Sequence, residues 1–311
     1  MAHGVMFHHF YDARHPRGQG AISADNLRQL IGYLGREHIL SAHEWMDRFA
    51  AGTLRTDDLC LTLDDTLLCQ YDVALPVFEE LGIEAFWFVY TAVIEGGVEM
   101  LEVYRKFRTV MYPDTVSFYC DFFDAIKRSA YAQLVSEYLQ NFNPKEYLVD
   151  FGFYTDEDRR FRFIRDKVLG PSRYHEVMDS LLSIHEVDVT SFSADLWLKP
   201  SHLRTLESRG HIIGLHSHTH PTDLAALPVD SQREEYETNI RILSSILSQP
   251  PRTMSHPCNS YNEETLSVLK TLGIQLGFRA NMKSIKYSPL EYPREDHSNI
   301  MARVRAVATH I

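Results

Sequence analysis

The sequence predicts a parallel α/β barrel of about seven strands that is interrupted by a helical segment. Three observations support this fold class. Short apolar strands alternate with amphipathic helices, which is the pattern of consecutive βαβ units. A count of about seven strands suits a closed barrel better than an open sheet. The length of 311 residues is compatible with one barrel domain, since α/β barrels commonly run to about 250 residues.

The predicted strands are short runs of apolar or β-branched residues, and helical patterns separate most of them. Gly82, Gly210 and Gly273 follow three of the helices, where glycine is the usual C-terminal cap. The predicted strands cover residues 4–10, 59–63, 85–91, 190–193, 211–215, 253–256 and 275–279. The predicted helices cover residues 23–34, 71–81, 200–208, 231–247 and 263–272.

Residues from about 97 to 184 break this alternation. They are rich in aromatic and charged residues at helical spacing and contain no clear strand. No linker rich in Pro, Gly or Ser flanks them. We therefore expect a single barrel domain, residues 1–311, that carries a mostly helical insertion or lid at about 97–184.

Composition and charge exclude several classes of function. Hydrophobic residues make up 44% and charged residues 23%, which is typical of globular proteins rather than disordered or fibrous chains. The net charge of −11 opposes binding to nucleic acid or to anionic membrane surfaces. No apolar run is long enough to predict a membrane span, and the N-terminus lacks the pattern of a signal peptide. Four cysteines without C-x-x-C spacing favour neither a zinc ribbon nor a redox pair. Together with the lack of a predicted membrane span and signal peptide, this leads us to expect a soluble cytoplasmic protein.

The sequence contains 16 histidines, an unusually high number, and histidine is the commonest metal ligand. Three of them, His216, His218 and His220, follow the predicted strand 211–215. The four-residue spacing of His216 and His220 places both imidazoles on one face of a turn or helix start. His218 points to the other face, and we expect it to support the turn or to lie at the surface.

Two carboxylates, Asp64 and Asp65, end the apolar strand 59–63. Such a pair is costly to bury unless positive charge compensates it. Successive residues point to different sides, so one carboxylate could bind a metal while the other stays free as a base. The alternative interpretation is an N-cap for the helix at 71–81.

Asp65, His216 and His220 together form a set of two histidines and one carboxylate. Structural metal sites normally have four protein ligands, so an incomplete set indicates a catalytic metal with open positions. Nitrogen and oxygen ligands suit Zn²⁺, with Co²⁺, Ni²⁺, Mn²⁺ or Fe²⁺ as alternatives. A metal-bound water beside a free Asp64 predicts hydrolysis, because the metal lowers the pKa of the water and the carboxylate accepts its proton.

These residues resemble the polysaccharide deacetylase family, the metal-dependent carbohydrate esterases with NodB homology, also described as carbohydrate esterase family 4. The family's first motif, Thr-Phe-Asp-Asp-Gly, is matched by residues 62–66. Its second motif, His-Ser/Thr-x-x-His, is matched by residues 216–220. The flanking residues 75–89 and 210–215 agree as well, and the insertion is not covered.

The third family motif, Arg-x-Pro-aromatic-Gly, is matched loosely by residues 255–259. Ser255 stands where the family has the arginine that orients the base. Arg279 or Arg294 could supply that charge from elsewhere in the fold. Thr66 replaces the glycine of the first motif, which could alter the loop near the substrate.

The resemblance implies a distorted (β/α)7 barrel that hydrolyses the N-acetyl group of an amino sugar. It implies that Asp64 is the catalytic base and that a divalent ion, Zn²⁺ first of all, binds to Asp65, His216 and His220. It also implies that the backbone N–H of Cys258 stabilises the oxyanion. The residues expected near the substrate are Pro257, Cys258, Asn259 and Arg294.

The general acid is the least defined part of the predicted site. The family's late Leu-x-His motif has no clean match in this sequence. His297, within residues 293–297, is the first candidate, although a surface histidine in a polar loop fits equally well. His8 and His9, at the end of the first strand, compete for the role.

The expected substrate is a carbohydrate, with no nucleic-acid partner. Without an export signal, a nucleotide- or lipid-linked acetamido sugar for the biosynthesis of a surface polysaccharide is favoured. Trp87, Tyr104, Tyr112 and Trp197 could stack on a sugar ring, although core packing is the simpler interpretation. Two alternatives stay open: a metal hydrolase of another amide, formyl or ester substrate, and a non-catalytic carbohydrate-binding homologue.

Overall fold

The computed structural model describes residues 1–149, 154–283 and 288–308. The chain divides into two compact units. Met1–Glu99 and Asp195–Ile311 form one unit, which we call the barrel unit because it contains the sheet. Met100–Ala194 form the other, which we call the helical unit because its described residues form helices and turns.

The barrel unit is built on a seven-stranded sheet in which every paired neighbour is parallel. The strands are β1 (His3–Phe7), β2 (Leu59–Leu63), β3 (Phe86–Val89), β4 (Ile212–Leu215), β5 (Thr253–Ser255), β6 (Leu276–Phe278) and β7 (Arg294–Asp296). Their order across the sheet is β6-β5-β4-β3-β2-β1-β7.

The two edges of this sheet approach each other, so the barrel is nearly closed. A parallel bridge pairs Phe278, in β6, with Tyr292, two residues before β7. The amide of Tyr292 donates to the carbonyl of Gly277 at 2.9 Å, and the amide of Arg279 donates to the carbonyl of Tyr292 at 3.0 Å. The predicted distorted (β/α)7 barrel is therefore confirmed.

One predicted strand is wrong, and the seventh strand lies elsewhere. Residues 190–193 belong to a short helix, Val189–Ser193, because Asp188 accepts hydrogen bonds from the amides of Thr190 and Ser191 and so caps a helix start. The seventh strand, Arg294–Asp296, consists of three charged residues. Because none of the three residues is apolar, the strand lacks the hydrophobic pattern from which strands are predicted.

The helices agree with most of the predicted ranges. The barrel unit contains α1 (Ala24–Leu34), α2 (Ala42–Ala51), α3 (Leu75–Leu81), α10 (Pro200–Ser208), α11 (Val229–Ile246), α12 (Glu263–Thr271) and α13 (His297–Ala308). The helical unit contains α4 (Met100–Val110), α5 (Thr115–Arg128), α6 (Ala132–Leu139), α7 (Asp156–Phe163), α8 (Gly170–Ile184) and α9 (Val189–Ser193). No helix among the described residues is both long and apolar enough to cross a bilayer.

Each unit has its own hydrophobic core. In the barrel unit, buried apolar residues of the strands pack against the inner faces of the helices, such as Leu27 and Leu30 of α1. The core of the helical unit is strongly aromatic. The four aromatic residues considered above for sugar stacking are all buried, with 1–8% of their surface exposed, and serve packing: Trp87, Tyr104, Tyr112 and Trp197.

Gly214, in β4, has no room for a side chain. A Cβ atom there would lie 2.5 Å from Thr253 Oγ1 and 2.7 Å from the ring of Phe88. We expect Gly214→Ala to lower the free energy of unfolding by about 1–3 kcal/mol, because overpacking displaces neighbouring strands. Urea denaturation measures this. Gly32→Ala in α1 is the control: nothing lies within 4 Å of its Cβ position, so we expect it to stabilise the protein by up to about 1 kcal/mol. An unchanged unfolding midpoint for Gly214→Ala would contradict this packing.

Candidate metal and catalytic site

The candidate site lies at the carboxyl ends of the parallel strands, where the side chains of different strands meet. Asp64 and Asp65 follow β2, and the segment 216–220 follows β4. The segment 256–259 follows β5, and His8 follows β1. Arg294 is the first residue of β7. All of these residues belong to the barrel unit.

The structure brings the three predicted metal ligands together. Asp65 Oδ1 lies 3.3 Å from His216 Nε2 and 3.3 Å from His220 Nε2. One ligand atom from each of the three residues lies within 4.8 Å of the other two. A single divalent ion therefore fits this set, which leaves further coordination positions for a water or a substrate.

The hydrogen bonds of His216 favour metal binding. Its Nδ1 lies 3.0 Å from the carbonyl oxygen of Ser255 and 2.7 Å from Ser255 Oγ. A ring N–H at Nδ1 that donates to the carbonyl leaves the lone pair on Nε2, the atom that faces Asp65. Ser255, which replaces the motif arginine, thus fixes the orientation of a candidate ligand.

Asp64 is held ionised by Arg294. The guanidinium of Arg294 donates from Nη1 and Nη2 to the two carboxylate oxygens of Asp64, both at 2.7 Å. Both side chains are buried. Burial raises the pKa of Asp64, but the charges of Arg294 and of nearby His216 outweigh it and hold that pKa below its ordinary value. Of the two arginines considered in the sequence, Arg294 is the one that contacts Asp64, while Arg279 donates to Glu291 and to its own loop.

Asp65 is ionised as well. Burial raises its pKa, but the contact with His216 and the charges of His8 and His220 hold it well below the ordinary value. The buried carboxylates also raise the pKa of His216, although burial alone lowers it. An ionised Asp65 between two imidazoles attracts positive charge, which a divalent ion would provide.

The three histidines considered as general acid lie in different surroundings. His8 Nε2 is 3.9 Å from Asp65 Oδ2, and 27% of the His8 side chain is exposed. His9 stacks on His8, with ring centroids 6.4 Å apart. His297 is buried against Phe7, and its ring nitrogens face the carbonyl oxygens of Met6 at 3.2 Å and Gly20 at 3.0 Å. Burial lowers the pKa of His297.

The third motif forms a tight turn. Cys258 and Asn259 have φ angles of 49° and 56°, in the left-handed region. Asn259 Oδ1 accepts from the amide of Ala280 at 2.7 Å, so it fixes the loop after β6. His256 is buried, donates from Nε2 to the carbonyl of Leu290 at 2.9 Å and stacks on Tyr261. Burial lowers the pKa of His256 to about 3, so it is neutral and structural.

Strained backbone is concentrated in these loops. Of the eight non-glycine residues described with positive φ, six lie in the three motif segments: Asp65, Thr66, Ser217, His220, Cys258 and Asn259. Such conformations persist where surrounding contacts enforce them, and functional sites are their usual place. Thr66, which replaces the motif glycine, has φ 59°, and its hydroxyl exchanges hydrogen bonds with the backbone of Tyr90 at 3.0 and 3.1 Å.

Three polar residues of the site were not predicted from the sequence. Gln70 donates to the backbone carbonyls of His8 and Asp64 and ties the ends of β1 and β2 together. Glu235 and Asn239, both in α11, bind the backbone of residues 216–220, which we call the histidine turn. No motif marks them, because each acts through the backbone, which a sequence pattern does not reveal.

The fold and the site define a class: a (β/α)7 barrel with an Asp-His-His cluster and an arginine-paired aspartate at the carboxyl ends of its strands. The comparisons with known proteins point to one family within it. Residues 169–277, which include the second and third motifs, match the family model described as polysaccharide deacetylase. This match confirms the family resemblance drawn from the motifs. No curated protein matches the sequence.

Solved structures of low sequence identity share the fold. The Streptococcus pyogenes deacetylase PplD, in complex with acetate, is 16% identical with a TM-score of 0.56, covering 95% of this chain and 91% of that chain. IcaB from Ammonifex degensii is 13% identical with a TM-score of 0.58. The match covers 98% of this chain and 97% of IcaB. A de-N-acetylase from Aggregatibacter actinomycetemcomitans is 13% identical with a TM-score of 0.55. The match covers 94% of this chain and 93% of the de-N-acetylase chain.

Proposed function

We propose that this protein is a metal-dependent hydrolase that removes the N-acetyl group from an acetamido sugar. The family match supports carbohydrate deacetylation. The observation that carries the proposal is the ionised Asp64 beside the Asp65-His216-His220 cluster, 4.0 Å from His216 Nε2. A protein that only binds carbohydrate has no need for a buried, ionised carboxylate that lies beside the candidate ligands without being one of them.

The residues divide the chemistry among them. Asp65, His216 and His220 would hold a divalent ion, which would supply Lewis acidity and lower the pKa of water, and Zn²⁺ fits this donor set. Asp64 accepts the proton of the attacking water, and Arg294 keeps Asp64 ionised until then. The backbone N–H of Cys258 donates to the developing oxyanion. When the C–N bond breaks, the leaving amine takes a proton from a general acid, and acetate is released.

His8 is the general acid that the geometry favours. It is partly exposed and close to Asp65, whereas both ring nitrogens of His297 face backbone carbonyls. We expect His8→Gln to slow amide hydrolysis by about 10²-fold or more. An activated aryl acetate should be affected much less, because its leaving group needs no proton. Steady-state rates on both substrates, with His9→Gln as the control, measure this; a larger loss in His9→Gln or His297→Gln would contradict the assignment.

We further propose that the substrate is a cytoplasmic, nucleotide- or lipid-linked acetamido sugar used in the biosynthesis of a surface polysaccharide. The four cysteines form no disulfide, which agrees with a reducing compartment. The net charge of −11 belongs to the chain as a whole and does not exclude an anionic substrate of this kind, which local positive charge could hold.

A screen for released acetate tests the proposed function. Zinc-loaded protein would be incubated with nucleotide-linked, lipid-linked and free acetamido sugars, and acetate would be quantified. We expect acetate from at least one sugar, and none from the Asp64→Asn variant. Release of formate or of another acid instead would select the alternative substrate class. Tight sugar binding without any released product would identify a non-catalytic homologue.

A further inference from the structure

Helix α11 presents polar side chains to the turn that carries the candidate histidine ligands. Glu235 and Asn239 are four positions apart, so they lie on one face of the helix. Gln232, three positions before Glu235, belongs to the same face. Glu235 and Asn239 bind the segment 216–219, whereas Gln232 binds Leu227 and Thr265.

Glu235 binds the middle of the turn. Its Oε2 accepts hydrogen bonds from the amides of His218 and Thr219, both at 2.8 Å. Its Oε1 accepts from Thr219 Oγ1 at 2.6 Å. The turn has left-handed residues on both sides of this contact, Ser217 with φ 66° and His220 with φ 58°. Strained backbone of this kind persists only where surrounding contacts enforce it, and Glu235 supplies three.

Asn239 binds the start of the turn and the neighbouring strand. It is fully buried, and its Oδ1 accepts from the amide of His216 at 3.1 Å. Its Nδ2 donates to the carbonyl of Val89 at 3.0 Å and to Thr91 Oγ1 at 3.1 Å. Thr91 Oγ1 in turn lies 3.1 Å from Nδ1 of His218. One amide side chain therefore fixes the ends of β3 and β4 relative to each other.

We propose that Glu235 and Asn239 are positioning residues that set the affinity of the site for a divalent ion. They hold the backbone segment that carries His216 and His220, so both imidazole rings are already in position before the ion binds. Metal sites need their ligands held to within about 0.5 Å, and the partners that hold them affect affinity strongly. This inference rests on the proposed function, because it assumes that the cluster binds a metal.

Zinc affinity, measured by competition with a chromophoric chelator, tests the inference. We expect Glu235→Ala and Asn239→Ala to bind Zn²⁺ about 10–100-fold more weakly than the wild type. Glu235 is only half-buried, so its alanine variant is expected to fold. Glu235→Gln keeps an oxygen that can accept from both amides and should recover most of the affinity. Recovery by glutamine separates a positioning role from a general effect of charge.

Gln232→Ala is the matched control. Gln232 is a buried polar residue of the same helix face, but it donates to the carbonyl of Leu227 and accepts from Thr265 rather than from the histidine turn. We expect it to lower the unfolding midpoint while zinc affinity stays unchanged. Wild-type affinity in Glu235→Ala, or an equal loss in Gln232→Ala, would overturn the inference. A wild type that binds no zinc would instead contradict the proposed function.

Discussion

Replacing Asp64 with asparagine is expected to lower the rate of acetate release by about 10²–10⁴-fold while zinc binding is retained. Asparagine has nearly the same shape but cannot accept the proton of the attacking water. Asp64 is not one of the three clustered ligand residues, so the ion should still bind. Acetate release and zinc affinity, measured on the same preparation, give both results.

The matched control for this variant is Asp58→Asn. Asp58 is also a buried carboxylate paired with arginine, since Arg48 Nη1 lies 2.9 Å from its Oδ2. It directly precedes β2 and so lies at the opposite end of the strand from Asp64. We expect Asp58→Asn to cost stability and to leave the rate per folded molecule unchanged. Full activity in Asp64→Asn, or an equal loss in Asp58→Asn, would contradict the assignment of the base.

Replacing Arg294 with methionine is expected to have the largest combined effect on stability and activity. It leaves the Asp64 carboxylate buried without its partner, which costs about 3–5 kcal/mol in comparable pairs. Burial, which raises the pKa of Asp64, is then opposed by less positive charge, so that pKa rises. The base must be ionised to act, so the acid limb of the pH–rate profile should move to higher pH.

Urea unfolding and a pH–rate profile measure the two effects of Arg294→Met. Arg294→Lys should recover part of the stability, because it restores the charge but not the two-pronged hydrogen bond. Arg303→Met is the control, since Arg303 pairs with Glu295 at the surface and such pairs contribute at most about 1 kcal/mol. A wild-type pH profile in Arg294→Met would contradict the role of Arg294 in keeping Asp64 ionised.

The parts of the fold with clear local patterns could be predicted from the sequence. The strand 59–63 is apolar at every position except Thr62 and is found as Leu59–Leu63. The helix predicted from Ser23 begins as expected, with Ser23 as its N-cap. The two motifs after β2 and β4 placed Asp65, His216 and His220 together because the carboxyl ends of parallel strands meet at one face.

The parts that depend on tertiary contacts could not be predicted in the same way. The strand Arg294–Asp296 contains no apolar residue. Its one buried residue, Arg294, pairs with Asp64, which is 230 residues away in sequence. Helix α2 was missed although Ser41 caps it and Gly52 ends it, because its apolar face is short. Gln70, Glu235 and Asn239 hold backbone groups, and such contacts leave no spacing pattern.

The measurement that tests the central claim most directly is a calorimetric titration of the metal-free protein with Zn²⁺. The account predicts one tightly bound ion per chain in the wild type and loss of tight binding in Asp65→Ala and His216→Ala. The control variant His38→Ala replaces a half-exposed histidine that lies against Asp57, and it should bind as the wild type does. No zinc binding by the wild type, or unchanged binding in Asp65→Ala and His216→Ala, would contradict the claim that these residues form a metal site.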